Sequence, residues 1–343
     1  MEEKVTISNV AQKSGVSQAT VSMVLNNKPG IASETRARVI EAAEALGYPL
    51  KQASATWRGN QLSTLGMIVK TDIDLPPHDN PFYSRIMMGI EDTCRKNGIA
   101  LLFSTLPVDA QNHPVETPAL LYNDSVDGLL MVGAFVDETL VSISGRRTPP
   151  IVLVDAYSNT ESYDTVVSDN FRAAYQAVEY LIKKGHQHIG LVGGEPNAYP
   201  SLLDRRNGYV RALKENEITE TYIANFNINK SKGYEEVTWL LKEHAQISAL
   251  FCINDEVAVT AIRAAQDIGR HIPQDLSVVG YDDIYLARNV SPALTTMHVD
   301  TLAMGRAAVQ LLNIRIDNLD MARMTLTIHP RLIERDSVAQ RHS

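Results

Sequence analysis

Short apolar runs that alternate with helix-like segments dominate this chain from Leu65 onwards. LGMIV, IALLF, GLLMV and IVLVD are the first four runs, and HIGLVGG, ALFCIN and LSVVGYDD continue the series. Apolar strands that alternate with helices are typical of a parallel sheet that is covered on both faces. About eight such strands exceed one compact sheet, so the sequence predicts an α/β body with two lobes.

Polar residues stand where several of these predicted strands end. Ligands bind such sheets at the carboxyl ends of the strands, so we predict one cleft between the two lobes. For any single polar pair helix capping is the commoner explanation, and we assign Asp169 and Asp255 to caps. The strand-end residues are Asp155 after IVLV, Gly193 and Gly194 after HIGLV, Asn254 and Asp255 after LFCI, and Asp282 and Asp283 after SVVGY.

The first fifty residues follow a different pattern, with helical spacing and no apolar strand. Two short helices joined by the turn Gly15-Val16-Ser17 form a helix-turn-helix signature. A third helix, which Gly47 ends, completes a small all-α headpiece. We predict these helices over residues 7–14, 18–26 and 34–46, with Thr6, Ser17 and Ser33 as their N-caps.

The second helix has an apolar face and a small polar face. Val21, Val24 and Leu25 share the side that we expect to be buried. A small polar outer face can enter the major groove of DNA, where amides bond base edges and apolar groups contact the thymine methyl. The pattern alone leaves open a helical cap that binds a protein partner. The outer residues are Gln18, Ala19, Ser22, Met23 and Asn26.

Charge and composition restrict the class of protein. The net charge is −8, but residues 1–60 carry seven basic and five acidic side chains, a balance of +2, which leaves −10 for the rest. A cationic head on an anionic body fits a protein that contacts phosphates at one end. With no run of 18 apolar residues and no secretory signal, we expect a cytoplasmic protein with no membrane partner.

Motifs of the common enzyme classes are missing. The chain has no GxGxxG after a strand, no GxxxxGKS, no HExxH and no GxSxG. His186 and His188 could mimic a metal pair, but two histidines at this spacing are more often surface residues before a strand. Cys94 and Cys252 have no zinc spacing, and we expect free buried thiols. We therefore predict no enzyme, no catalytic residue, no cofactor and no metal.

The string TISNVAQKSGVSQATVSMVLNNKPGIASETRARVIEAAEALGYPLKQ strongly resembles the headpiece of the LacI/GalR (lactose-repressor/galactose-repressor) family of transcriptional regulators. The resemblance implies a homodimer whose second helices enter adjacent major grooves of a palindromic double-stranded operator. Met23 stands where family members commonly carry arginine, so their operator preference does not transfer. The resemblance implies phosphate contacts by Thr6, Ser17 and Thr20 and base contacts by Gln18, Ala19 and Met23.

The segment 50–61 follows the headpiece. In the family it is a hinge helix that folds on DNA and sits in the minor groove, and Trp57 stands where relatives usually place a leucine wedge. Its polar, alanine-rich composition suits a helix that is marginal alone. A plain interdomain tether is the second interpretation.

The body resembles the family's effector sensor, which is similar to periplasmic sugar-binding proteins. The matching strings are NPFYSRIMMGIE, DGLLM, VVSDN, KKGHQHIGLVGG, DRRNGYVRAL, CINDEVAVTAIRAAQDIG, IPQDLSVVGYDDI and PALTTMHVD. A periplasmic protein is the second interpretation of this body, but the headpiece and the lack of a signal sequence count against it. The resemblance implies an effector pocket that includes Phe82, Tyr83, Asp155, Ser201, Arg205, Ile228, Asn254 and Asp282.

These pocket residues suggest the chemistry of the effector. Carboxylates accept hydroxyl protons and a guanidinium donates to oxygens, so Asp155, Arg205 and Asp282 favour a polyhydroxylated ligand such as a sugar or sugar derivative. An Arg205–Asp282 ion pair in the empty pocket is the alternative. Ile228 stands where many relatives stack an aromatic ring, so the match gives no identity for the ligand.

The resemblance also sets the expected domain boundaries and dimer surfaces. We predict a headpiece over 1–49, a hinge over 50–61, an effector-binding and dimerisation domain over 62–336, and a tail over 337–343. The first lobe should cover 62–161 and 301–321, and the second lobe 162–298 and 322–336. The chain should cross between the lobes near 159–162, 296–301 and 321–325. Dimer contacts should come from helices 84–97 and 255–268, and the tail lacks the heptads of a coiled coil.

Overall fold

The computed structural model describes residues 6–25, 31–46, 48, 62–72, 80–109, 112–122, 125–134, 149–158, 163–196, 199–228 and 233–341. The chain divides into two compact units, Met1–Gln61 and Leu62–Ser343. Within the described residues, none of the helices combines the length and the apolar composition that crossing a bilayer requires.

The part of the first unit that the structure describes contains three helices, α1 (Ile7–Ser14), α2 (Gln18–Leu25) and α3 (Ser33–Ala45). Gly15 ends α1 in the left-handed conformation at φ 69°, which a residue without a Cβ adopts most easily. The predicted first helix is confirmed, and α3 begins one residue earlier than predicted. The helices enclose a small apolar core of Val10, Ala11, Val21, Val24, Val39, Ala42 and Ala43.

The second unit contains two six-stranded sheets with helices around them. Its strands are β1 (Thr64–Asp72), β2 (Ala100–Val108), β3 (Gly128–Val132), β4 (Ile151–Val154), β5 (Asp164–Ser168), β6 (Ile189–Val192), β7 (Tyr222–Ala224), β8 (Ala249–Cys252), β9 (Ser277–Asp282), β10 (Thr295–His298), β11 (Thr325–Ile328) and β12 (Arg331–Ile333). The α-helices among its described residues are α4 (Pro81–Asn97), α5 (Asn170–Lys183), α6 (Pro200–Glu215), α7 (Tyr234–Glu243), α8 (Asp255–Asp267), α9 (Tyr285–Asn289) and α10 (Thr301–Asp317).

The strand order gives each lobe its own sheet. The first sheet runs β11-β5-β4-β3-β1-β2, and the second runs β12-β10-β9-β8-β6-β7. Neighbouring strands are parallel except β10 and β12. The prediction of an α/β body with parallel sheets is confirmed. The strands that the apolar pattern missed, such as β7 and β12, have only three residues each.

Two of the three predicted crossings between the lobes were placed too early in the chain. Strand β5 pairs with β4 and β11 in the first sheet, so the first crossing follows Ser168. Strand β11 also belongs to that sheet, so the third crossing lies between Ile328 and Arg331. The prediction failed because β5 and β11 contain threonine and serine and do not form continuous apolar runs.

Helix α10 returns from the second lobe and packs against α4 with close backbone contact. A Cβ on Gly305 would lie 2.3 Å from the carbonyl oxygen of Ile86, and one on Gly89 would lie 2.5 Å from that of Leu302. Both distances are shorter than any real carbon–oxygen contact, so glycine is required at both positions. The pair of glycines thus fixes how deeply the two helices interlock.

A fully buried ion pair anchors the other end of α10. The Arg315 Nε and Nη2 atoms donate to the two carboxylate oxygens of Asp164 at 2.6 and 3.0 Å, and both side chains have no exposed surface. The guanidinium also donates to four carbonyls between 318 and 322, and Asp164 accepts from the backbone N–H of Met324. Because every polar group is satisfied, this pair ties α10, β5 and the approach to β11 together.

Arg315→Met should therefore lower the free energy of unfolding by about 3–5 kcal/mol, because it leaves the buried carboxylate with only a 3.7 Å contact to the exposed side chain of Arg323. Urea denaturation followed by circular dichroism measures the loss. Arg306→Met on the same helix is the control, since Arg306 makes only a 3.9 Å contact with exposed Asp300, and it should change stability by about 0.5 kcal/mol or less. An equal loss in both variants would contradict an anchoring role for Arg315.

Candidate functional sites

Helix α2 presents the small polar face that the sequence predicted. The side chains of Gln18, Ala19 and Met23 are exposed, and those of Thr20 and Ser22 are half-buried. Ser17 caps the helix, because its Oγ accepts from the backbone N–H of Thr20 at 3.1 Å. The helix thus offers a neutral surface of the size and chemistry that a DNA groove accepts. Thr6 is exposed before α1, whereas the predicted contacts Asn26 and Trp57 lie outside the described residues.

Asp155 is the first acidic group of the cleft and follows β4 directly. Its side chain is buried, and its backbone adopts a left-handed φ of 58° that turns the carboxyl away from the strand. Tyr83 of α4 donates its hydroxyl to the Oδ2 atom at 3.0 Å, and the Phe82 ring packs edge-on against Tyr83. The Oδ1 atom is buried and accepts no hydrogen bond from any described group. Burial raises the pKa of Asp155 to about 6, although Arg205, Tyr83 and Lys70 lower it.

Arg205 of α6 lies at the centre of the cleft and is buried. Its Nε donates to the Asn170 side chain at 2.9 Å, and its Nη1 donates to the Ile253 carbonyl at 2.7 Å. Its Nη2 lies 3.3 Å from the Asp282 Oδ1 atom, and the guanidinium stacks 3.7 Å from the centre of the Tyr281 ring. The ion pair that the sequence left open as an alternative is therefore present.

The two acids of GYDD have opposite environments. Burial raises the pKa of Asp282 to about 7, although Arg205 lowers it. The 3.3 Å contact of its Oδ1 atom with Arg205 Nη2 lacks the geometry of a hydrogen bond, and no other described group donates to this atom. Burial also raises the pKa of Asp283, but hydrogen bonds from Arg335, Arg288 and His298 outweigh it and hold that pKa below its usual value. Asp282 is thus available to a ligand, and Asp283 is a structural residue.

The caps after β8 differ from the prediction for Asp255. Asn254 is the N-cap of α8, and its Oδ1 accepts from the backbone N–H of Val257 at 2.9 Å. Asp255 is fully buried and accepts from Thr296 Oγ1 at 2.6 Å and from the backbone N–H of Ile284 at 2.8 Å. The assignment of Asp255 to a cap was wrong, because the residue before it already supplies the cap. Asp169 does cap α5, as predicted.

Ser201 and Ile228 complete the predicted set. Ser201 is buried in the first turn of α6, and Ile228 is half-buried beside the Gly193 turn. His186 is buried and bonds Ser248 at 3.0 Å, so its expected position at the surface was wrong. Cys94 and Cys252 are free and buried, as predicted. Among the described residues, no cluster of three His, Cys, Asp or Glu side chains could hold a metal ion.

Sequence analysis missed two residues of the cleft. Lys70, near the end of β1, donates to the Tyr199 hydroxyl at 2.9 Å, and Tyr199 directly precedes α6. The rule that polar strand ends face the cleft applies to LGMIVKTD as well and would have found Lys70. Tyr199 follows no strand and carries no comparable signal.

A headpiece that can enter a DNA groove, joined to a two-lobed body with a polar cleft, defines a DNA-binding regulator with a ligand-binding domain. The family model "Bacterial regulatory proteins, lacI family" matches residues 6–49, and the "Periplasmic binding protein-like domain" matches residues 178–338. The chain is 33% identical over 340 residues to the HTH-type transcriptional repressor PurR of Proteus mirabilis and 32% identical over 341 residues to that of Klebsiella pneumoniae, with 97% of each chain covered. This chain belongs to the LacI family of regulatory proteins.

Solved structures share the fold. A LacI-family regulator from Enterococcus faecium with bound ribose superposes with a TM-score of 0.66 and 28% identity, covering 82% of this chain and all of that one. The lac repressor dimer bound to operator and the anti-inducer ONPF gives a TM-score of 0.68 and 23% identity, covering 98% of this chain and all of that one. These likenesses support the fold described above.

Asp282→Asn removes the partner of Arg205 at every pH, but its effect on stability relative to wild type should become more favourable as the pH rises from 5 to 8. The pKa of Asp282 rises from 3.8 to about 7 on folding, so its ionised form destabilises the fold increasingly as the pH rises from about 4 through about 7. The free energy of unfolding of the variant minus that of wild type should increase by roughly 2–3 kcal/mol between pH 5 and pH 8, since one pKa unit corresponds to about 1.4 kcal/mol. Urea denaturation at both pH values measures it.

Asp283→Asn is the matched control for this prediction. The lowered pKa of Asp283 means that its ionised form stabilises the fold above pH 3.8, and that this stability is lost only as the pH falls through the lower folded value. Asp283→Asn should therefore destabilise to a similar extent at pH 5 and pH 8. If Asp282→Asn behaves in the same way, the two carboxyls do not differ as the structure indicates.

Proposed function

We propose that this protein is a homodimeric transcriptional repressor that binds a palindromic operator. The exposed neutral face of α2 beside a cationic headpiece carries the proposal, and relatives named as transcriptional repressors support it. The phosphate contacts come from Thr6, Ser17 and Thr20, and base contacts from Gln18, Ala19, Ser22, Met23 and Asn26. Trp57 is the minor-groove wedge of the hinge.

Exposed apolar side chains support the dimer. Helix α4 exposes Met88, and the neighbouring strand β2 exposes Phe103, although both elements belong to a packed lobe. Large exposed apolar groups on adjacent elements are typical of protein interfaces. Helices α4 and α8 supply the dimer contacts in this proposal, and a dimer places two α2 helices on two half-sites.

Operator binding should weaken steeply with salt. With roughly 6–10 phosphate contacts, affinity should fall by about 10³–10⁵ between 50 and 200 mM salt. Fluorescence anisotropy measures the affinity at each salt concentration for a duplex selected from a random library, with a scrambled duplex as the control. Gln18→Ala should cost about 1–3 kcal/mol on the selected duplex and little on the scrambled one. A salt-independent complex, or a tight complex with a monomer, would rule out this mode of binding.

The effector is a sugar or sugar derivative. Two buried carboxylate oxygens without hydrogen bonds, on Asp155 at the end of the first sheet and on Asp282 at the end of the second, carry this proposal. Each can accept a hydrogen bond from a ligand hydroxyl, and Phe82 and Tyr83 offer apolar ring surface. The ribose-bound relative at 28% identity supports a carbohydrate. Binding between the lobes would control the headpiece, which acts on DNA in the cytoplasm.

A carbohydrate at about 100 times its dissociation constant should stabilise the protein by about 2.7 kcal/mol in a thermal-shift screen. Asp155→Asn should abolish most of the shift, because a neutral amide has one acceptor oxygen and cannot form the charge-assisted hydrogen bonds of a carboxylate. Asp320→Asn, which changes an exposed acid beyond α10, should keep it. Arg205→Ala is unsuitable, because it also removes the partner of Asp282. If only nucleobases give a shift, the effector is not a carbohydrate.

A further inference from the structure

The cleft contains a second cation that bridges the two lobes. Lys70 lies two residues before the carboxyl end of β1 in the first sheet, and its ammonium sits 2.9 Å from the hydroxyl and 4.3 Å from the ring centre of Tyr199. Tyr199 stands at the N-terminus of α6, which belongs to the second lobe. The side chains of Lys70 and Tyr199 are half-buried, so each is only partly in contact with solvent.

Lys70 differs from Arg205 in how its charge is balanced. Arg205 pairs with Asp282 and donates to an amide and a carbonyl. Among the side chains that the structure describes, Lys70 bonds the neutral tyrosine hydroxyl and makes no ion pair with a carboxylate. A partly desolvated cation without a counter-ion is costly, and an anion that entered the cleft would relieve that cost.

Asp155 shows that Lys70 belongs to the same cleft as Arg205. Both cations lower the pKa of this carboxyl, so both lie within electrostatic range of it. Asp155 itself is not the missing counter-ion, because its Oδ2 bonds Tyr83 and makes no ion pair with Lys70. A ligand hydroxyl on its open Oδ1 atom would therefore lie near the Lys70 ammonium.

We propose that the effector carries an anionic group, a carboxylate or a phosphate, which binds the Lys70 ammonium and the Tyr199 hydroxyl beside the hydroxyls held by Asp155 and Asp282. The effector is then a sugar acid or a sugar phosphate, and this inference rests on the proposed carbohydrate function. The Tyr199 hydroxyl accepts from Lys70 and still has its own proton to donate to an anion. Because the two donors come from different lobes, the anion would hold the lobes together.

Calorimetry with matched compounds on the full chain tests the inference. The probes are D-ribose, D-ribonate and D-ribose 5-phosphate, and D-glucose, D-gluconate and D-glucose 6-phosphate. In at least one series an anionic member should bind roughly 10–150-fold more tightly than its neutral sugar, as one charge-assisted contact provides. The carboxylate and phosphate members show which anion the site takes.

Substitutions then locate the preference at Lys70. Lys70→Met and Lys70→Gln should abolish the preference for the anion while the neutral sugar still binds, which also shows that the cleft is folded. Tyr199→Phe keeps the ring and should lose about two- to tenfold of the anion affinity. Lys214→Met, which removes an exposed lysine of α6, should retain the full preference.

The results separate this inference from the proposed function. If neutral sugars bind as tightly as their acids and phosphates, or if the preference survives in both Lys70 variants, the anionic subsite is wrong and the carbohydrate function stands. If no compound of the panel binds, both proposals are wrong.

Discussion

One buried guanidinium organises the effector cleft. Arg205 reaches from α6 to the carbonyl that ends β8, to the side chain of Asn170 and to Asp282 at the end of β9. A buried charge is tolerated only when its donors are satisfied, so these contacts fix where the ends of β8 and β9 lie relative to α6. The Oδ1 atom of Asp155 accepts no hydrogen bond from a described group, and that of Asp282 has only the 3.3 Å contact with Arg205. The same residue therefore stabilises the second lobe and defines the acceptors left for a ligand.

Local rules predicted the parts of this molecule that depend on local chemistry. The spacing of Val10, Val21, Val24 and Val39 gave the headpiece core, and the glycine and serine caps gave the bounds of its helices to within a residue. Apolar runs predicted the central strands for the same reason, since their side chains are buried on both faces. The strands β7 and β12 were missed. Each lies at an edge of the second sheet and is short, and such a strand does not need a continuous apolar run.

Long-range contacts account for what the sequence could not give. Asp282 and Asp283 are adjacent and chemically identical, but only the fold places Arg335, more than fifty residues away, beside the second of them. Asn254 and Asp255 show the same limit, because either could cap α8 and only packing against Thr296 decides which one does. The contact of Lys70 with Tyr199 joins elements 129 positions apart, and no local pattern predicts it. The resemblance to the LacI family predicted which residues line a pocket, whereas the charge balance and the open acceptors of these residues required the structure.

The cleft and the first crossing between the lobes share a residue. Asn170 begins α5 immediately after the chain leaves the first sheet, and it is buried with its Oδ1 atom bonded to Arg205 and its Nδ2 atom bonded to the carbonyl of Ser168 at the end of β5. The contacts of Arg205 therefore reach the segment through which the chain passes from the first lobe to the second. The buried Arg315–Asp164 pair holds the opposite end of β5, and Asp164 also accepts from the backbone N–H of Met324 directly before β11. Side-chain hydrogen bonds therefore hold both ends of β5. The same contacts connect the charged groups of the cleft with the first crossing between the lobes.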